Sequence, residues 1–216
     1  MELKNKTVIF LGDSITEGVG ASSPDKCYVS LFAKAHPEAR VHNFGISGSR
    51  IAIQLKPSVN PRWDKYFASR IDDMPNEADL ICVFGGTNDY GHGDAPFGDL
   101  DDTDGYSFVG ALGDLYTRLI NKFPAAKIVV FTPTHRVAEA EAHAKPDGEF
   151  TLRDYVDGIR EVAQIYSLPV LDLWSISGIQ PNLEIQKEMF MPDGIHPSDA
   201  GYARLFAIID SYVKSL

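Results

Sequence analysis

The sequence is poor in cysteine: its 216 residues contain only two, Cys27 and Cys82. Two thiols without CxxC spacing exclude a disulfide-stapled scaffold, and they match no metal or redox motif. Cys82 lies in the apolar run Leu80-Ile81-Cys82-Val83-Phe84 and reads as a core thiol. No apolar run approaches the roughly 20 residues that a membrane-spanning helix needs. The N-terminus, MELKNKTVIFLGDS, enters a strand-like run directly, without the h-region and small-residue cleavage site of an export signal. The chain as it stands reads as cytoplasmic, with a mature form cut from an exported precursor left open.

Positive charge is scarce, and in one segment it is missing. The chain carries 20 Lys and Arg against 30 Asp and Glu, a net charge of −10. Between Ile71 and Thr117 there is no Lys or Arg, yet eleven acids: Asp72, Asp73, Glu77, Asp79, Asp89, Asp94, Asp99, Asp101, Asp102, Asp104 and Asp114. The other residues therefore balance at 20 basic against 19 acidic, or +1. This balance excludes a general nucleic-acid binder, which shows the opposite excess. Metal and nucleotide motifs are also missing: there is no HExxH and no GxxxxGK[ST]. The acidic run DLDDTDG, residues 99–105, invites a calcium reading. Placing Gly105 at the sixth position of an EF-hand puts Leu100 first and Ala111 twelfth, where acids are required. No cofactor and no metal are expected.

What is present is a rhythm. Thr7–Leu11, Val41–Phe44, Leu80–Phe84, Lys127–Phe131 and Pro169–Leu173 are short runs rich in Val, Ile, Leu and Phe. Such runs suit strands covered on both faces, as in a parallel sheet. Between them lie helical patterns: one from about Asp25, one after Pro61, one from about Tyr106 to Phe123 and one over about 152–167. A last helix is capped by Ser198 and carries Tyr202, Leu205, Phe206, Ile209 and Val213 on one face. Strict alternation means βαβ units in a three-layer α/β sandwich. Without a repeat or linker, residues 1–216 read as one domain. The segments 90–105 and 136–149 fit no element and read as binding loops or lids beyond strand ends.

Four short blocks carry chemistry. Gly12-Asp13-Ser14-Ile15-Thr16-Glu17-Gly18 places a serine just beyond strand one. Asn43-Phe44-Gly45-Ile46-Ser47-Gly48 ends strand two with glycines, whose N–H groups a ligand can approach closely. Gly85-Gly86-Thr87-Asn88-Asp89 ends strand three with an amide suited to an oxyanion. Asp193-Gly194-Ile195-His196-Pro197 places a carboxylate three residues before a histidine, near enough to fold back onto Nδ1. The other histidines, His36, His42, His92, His135 and His143, lack this arrangement and read as surface or loop residues.

Each block alone fits an ordinary turn, but their joint order does not. The sequence resembles the SGNH hydrolases, also called the GDSL esterase family, with Ser14, Gly45, Asn88 and His196 matching the name-giving residues. The first block departs from the acronym only in Ile15, where Leu is usual. The resemblance implies a flavodoxin-like fold with a central five-stranded parallel sheet. It implies Ser14 as nucleophile, His196 as general base then acid, and Asp193 as the group that orients His196. Backbone N–H of Ser14 and Gly45, with the Asn88 side chain, would form the oxyanion hole, and Asp13 stands apart from the triad.

The substrate this suggests is a small-molecule or carbohydrate ester with a short acyl group, foremost a carbohydrate O-acetyl ester. The segment 136–149 is too polar to shield a long acyl chain, and Trp63, Trp174, Tyr90 and Phe97 are candidates to stack on a sugar. Acids flank Asn88 on both sides. Within the Debye length of about 8 Å they would repel anions, which favours a neutral ester. A lysophospholipase or thioesterase and a non-catalytic flavodoxin-like binding module are the competing readings.

Overall fold

The computed structural model describes residues 1–216. Thr7–Gly12 forms β1, every residue of which is buried. A short helix α1, Ser14–Glu17, follows at once, and α2 spans Tyr28–Ala35. Then come β2 (Arg40–Gly45), β3 (Leu80–Phe84), α3 (Thr87–His92), α4 (Phe108–Lys122) and β4 (Lys127–Phe131). The remainder is β5 (His143–Lys145), β6 (Gly148–Phe150), α5 (Leu152–Ile165), β7 (Val170–Leu171), α6 (Leu173–Ile176), α7 (Glu184–Phe190) and α8 (Asp199–Ser215).

Five strands make one parallel sheet in the order β2-β1-β3-β4-β7. Helices cover both faces, giving the three-layer α/β/α architecture. Strand pleating sends alternate residues to opposite layers. Ile9, Leu11, Ile81, Val83, Ile128 and Val130 enter a core with residues of α4 and α5. Val8, Phe10, Leu80, Cys82, Phe84, Val129 and Phe131 enter the other, with α2 and α8. The apolar runs are continuous because both faces are dry. The outermost strand β2 is different, being only half-buried along its length, as its edge position allows.

Three local expectations need correction. The pattern after Pro61 is not one helix but two 3-10 turns, Pro61–Asp64 and Phe67–Arg70. Extended backbone at Tyr66 separates them, and Phe67 N–H is drawn to the Arg50 carbonyl at 3.1 Å. β7 is shorter than Pro169–Leu173, since Pro169 has no N–H to give a ladder and Asp172 is held by Arg160 and Thr132. The segment 136–149 is not open loop throughout, for β5 and β6 pair as an antiparallel hairpin. Lys145 on that hairpin donates to the carbonyls of Asp89 (2.8 Å) and Gly93 (2.6 Å), capping the end of α3. The loop expected to be a lid is a clamp on the helix that carries Asn88. Its neighbour, 93–105, is likewise stitched by its acids: Asp94 accepts from Leu55 N–H, Asp104 from Tyr106 N–H, and Asp102 from Ser107 Oγ.

Candidate active site

Strand β1 ends in Gly12, and the chain turns sharply into α1. Asp13 caps that helix by accepting Ile15 N–H at 3.0 Å, which leaves Ser14 as its first residue. The first N–H groups of a helix have no partner within it, so Ser14 N–H has no acceptor inside α1. Ser14 is 3% exposed. Tyr28 and Tyr202 hold the turn from below. The Tyr28 hydroxyl bonds Thr16 Oγ1 at 2.9 Å, and the Tyr202 hydroxyl donates to the carbonyls of Ile15 (3.1 Å) and Val19 (2.7 Å).

The residues 193–197 meet this turn from the far end of the chain. His196 Nε2 lies 3.0 Å from Ser14 Oγ, and His196 Nδ1 lies 2.6 Å from Asp193 Oδ2. The other Asp193 oxygen accepts the N–H groups of Ile195 (2.9 Å) and His196 (2.7 Å). Partial burial pushes this carboxyl upward, but the N–H and imidazole donors outweigh it and hold its pKa below the ordinary value. Asp193 therefore stays ionised and accepts from Nδ1–H, which leaves Nε2 as the basic nitrogen facing the serine. His135 also carries a carboxylate, Glu139 at 2.9 Å, but its ring lies 3.9 Å from Trp174 as a packed pair.

The Gly45 assignment changes. Its N–H donates to Asn43 Oδ1 at 2.8 Å, because the Asn43 side chain folds back over two residues while its amide holds the Thr16 carbonyl. What position 45 needs is space: a Cβ there would lie 2.1 Å from Glu17 N. The free donor of this block is Gly48, whose N–H has no acceptor in the protein. Gly48 is left-handed at φ +74°, and a Cβ there would strike Trp63 at 2.2 Å. Asn88, in the first turn of α3, donates to the Ser49 carbonyl at 3.0 Å, next to Gly48, and its second amide hydrogen remains available.

Beneath these groups lie charges that no motif announced. Arg70 is 3% exposed and donates to the carbonyls of Gly12 (2.9 Å) and Phe44 and to Ser49 Oγ (3.2 Å). It ties the ends of β1 and β2 to the turn bearing Gly48, and burial pulls its pKa down to about 9. Asp89 accepts the N–H groups of Ile51 and Ala52 (2.9 Å to Ala52), fixing the segment that leads from Gly48. Burial raises its pKa against those bonds. Asp13 is 2% exposed, and burial pushes its pKa up to about 6. Arg70 stands at no motif spacing, so only its three-dimensional partners reveal it.

The acid-rich segment is divided between the two ends of the sheet. Asp72, Asp73, Glu77 and Asp79 precede β3, and so lie at the end of the sheet opposite Asn88; Asp79 is paired there with Lys6 at 2.9 Å. A five-residue strand separates the two ends by about 16 Å. Asp89 is consumed by backbone, and Asp94, Asp102, Asp104 and Asp114 are bonded to Leu55 N–H, Ser107, Tyr106 N–H and Arg118. For the acids before β3, nearness in sequence to Asn88 is not nearness in space, because a strand carries the chain across the sheet.

Of the aromatic candidates, Tyr90 and Phe97 pack with Tyr155 as core and Trp174 is taken by His135. Trp63 alone stands half-buried beside Gly48, 4.9 Å from the His92 ring.

A family model described as the GDSL-like Lipase/Acylhydrolase family matches residues 10–204. No curated protein matches the chain. One crystal structure is 34% identical, with a TM-score of 0.86 over 100% of this chain and 99% of its own. A Lactobacillus plantarum protein is 29% identical, with a TM-score of 0.82 over 99% of both chains. An acetyl xylan esterase is 21% identical, with a TM-score of 0.66 over 96% of this chain and 99% of its own. With the matched residues running from β1 into α8, the chain belongs to the GDSL-like lipase/acylhydrolase family, and it is a serine ester hydrolase.

Proposed function

We propose that the protein removes short acyl groups, foremost O-acetyl groups of carbohydrates, through an acyl-enzyme formed on Ser14. The observation that carries this reading is the continuous hydrogen-bonded line from Ser14 Oγ through His196 to Asp193. Serine is a weak nucleophile until a base takes its proton, and the base needs a third group to fix its tautomer. Ser14 Oγ attacks the ester carbonyl as His196 Nε2 takes its proton. The resulting oxyanion is met by the N–H groups of Ser14 and Gly48 and by the Asn88 amide, and losing one such donor costs about 10²–10³ in turnover. The intermediate collapses as the imidazolium returns the proton to the leaving alcohol. Water then attacks the acyl-enzyme by the same steps and restores Ser14.

The short acyl group is supported by the hairpin β5–β6, which is mostly polar and clamps α3 instead of forming an apolar lid. The half-buried indole of Trp63 beside Gly48 suits a sugar face, and the fold is shared with an acetyl xylan esterase. The neutral ester favoured by the sequence rested on acids at the mouth and loses that support.

The test is hydrolysis of aryl acetates, acetylated xylo-oligosaccharides and long-chain lipid esters by wild type and Ser14→Ala. Acetate release should fall by at least about four orders of magnitude in the variant. A wild type that releases no product and takes no serine-directed phosphonate label would instead be a binding module. Preference for the long-chain esters would select the lysophospholipase alternative.

A further inference from the structure

Arg136 lies between the two halves of the candidate site and is paired with no carboxylate. Its Nη1 reaches the carbonyl (3.2 Å) and hydroxyl (3.3 Å) of Thr87, the residue before Asn88. The next residue, Val137, donates its N–H to the carbonyl of Gly194 at 2.9 Å, and Gly194 follows Asp193. The segment 136–137 thus touches the helix of the oxyanion amide through the Arg136 guanidinium and the loop of the catalytic base through the Val137 backbone.

Its state differs from that of the other arginines nearby. Arg50 is paired with Asp64 at 2.8 Å and Arg62 with Glu17 at 2.7 Å. Arg70 spends its Nη groups on two carbonyls and a hydroxyl. Arg136 has only its two long contacts to neutral Thr87 atoms. Its Nε is buried without an acceptor, as those of Arg50 and Arg70 are, but its Nη2 also lacks an acceptor and is not buried. In a chain with 30 acids, a half-buried guanidinium left without a carboxylate is a donor awaiting one.

The side chain is also held still. Gly91 leaves room for it, since a Cβ there would lie 2.8 Å from Nη1, and the Tyr90 ring is 5.4 Å from Cζ. The backbone is fixed by Arg136 N–H donating to Glu139 (2.9 Å) and by Asn182 donating to the Arg136 carbonyl (3.2 Å). A cation immobilised before its ligand arrives loses little entropy on binding it.

We propose that Arg136 forms a subsite for a carboxylate borne by the alcohol part of the ester, making acylated sugar acids the preferred substrates over neutral sugars. This rests on the reading of Ser14 and His196 as the hydrolytic pair. One unpaired cation matches one negative charge. A phosphate dianion would bring a second charge toward Asp193 and Glu139, with no further free cation to meet it. Guanidinium suits carboxylate because its planar donors align with both oxygens.

The experiment compares mono-O-acetylated methyl glucuronoside with the equally acetylated methyl glucoside, using wild type, Arg136→Gln and Arg136→Lys, with an aryl acetate alongside. Wild type should favour the uronate in kcat/KM by about tenfold or more, the scale of a charge-assisted hydrogen bond, chiefly through KM. Arg136→Gln should abolish that ratio and Arg136→Lys retain part of it. On wild type, unacetylated methyl glucuronoside should inhibit aryl acetate hydrolysis at lower concentration than methyl glucoside, a measurement that needs no folded variant. Wild type active on aryl acetate but indifferent to the carboxylate, or a ratio unchanged in Arg136→Gln, overturns the subsite alone. Wild type inert toward every ester overturns the hydrolytic reading and the subsite with it.

Discussion

Asp13 shows how much a single side chain beside the proposed nucleophile can be asked to bear. It is buried and adjacent to Ser14, and it gives an oxygen to Ile15 N–H. Its pKa of about 6 against an ordinary 3.8 means that the folded protein prefers it protonated. Below pH 4 both folded and unfolded chains hold that proton, so nothing is lost. Between about pH 4 and 6 the unfolded chain ionises while the folded one keeps its proton, and stability falls by about 3 kcal/mol at most before levelling off above 6. Arg70 and His196 offset part of this by attracting the anion. Asp13→Asn keeps a side-chain oxygen for the cap but does not titrate. Its melting temperature relative to wild type should therefore climb between pH 4 and about 6.5, then level off. A difference that stays constant or declines across that range would show that Asp13 is comfortable as an anion. None of this was legible in the sequence, where Asp13 is one letter of a motif. Ser14, Asn88, Asp193 and His196 could be read there because their blocks keep local spacing. The resemblance points to Gly45, whereas Gly45 and Gly48 are both turn glycines of one block and only the Asn43 side chain distinguishes their N–H groups.

Among the elements, α8 links the two ends of the catalytic chain. Ser198 caps it with an oxygen 3.3 Å from Gly201 N, two residues after His196, and one turn later Tyr202 reaches under α1. The apolar stripe of α8 and its capping serine were readable from the sequence. The Tyr202 hydroxyl was not, because periodicity marks it only as a core aromatic. Removing that hydroxyl leaves the buried carbonyl of Ile15 and the part-buried carbonyl of Val19 without this donor. Tyr202→Phe should lose about 1–3 kcal/mol in urea unfolding. A loss below about 0.5 kcal/mol, the range of neutral surface changes, would mean that α1 holds its turn unaided. The same logic explains why α1 escaped prediction altogether. Four residues are too few to show a period, and the helix exists because Asp13, Tyr28 and Tyr202 bond its ends.

Across the whole molecule, the sheet separates the acids that precede β3 from the candidate site. The five-stranded parallel sheet was implicit in five apolar runs and the family resemblance, but the destination of the acids was not. Residues flanking a strand lie at opposite ends of it, which linear spacing conceals. The acidic excess therefore loads the surface around the start of β3 and the turn before α4, while Arg136 stands by the mouth. Two consequences can be measured together. Lowering salt lengthens the Debye length from about 8 Å at 0.15 M to about 30 Å at 0.01 M. The clustered acids then repel one another across that surface, so the melting temperature should fall as salt is withdrawn. Catalysis should not gain a cation preference under the same dilution. Acetylcholine and its uncharged isostere 3,3-dimethylbutyl acetate differ in little but charge. Their kcat/KM ratio should stay level or decline between 0.15 M and 0.01 M salt, because the Arg136 guanidinium beside Thr87 is paired with no carboxylate. A ratio rising several-fold on dilution would return the acidic field to the active-site mouth and remove the ground for a carboxylate-bearing substrate.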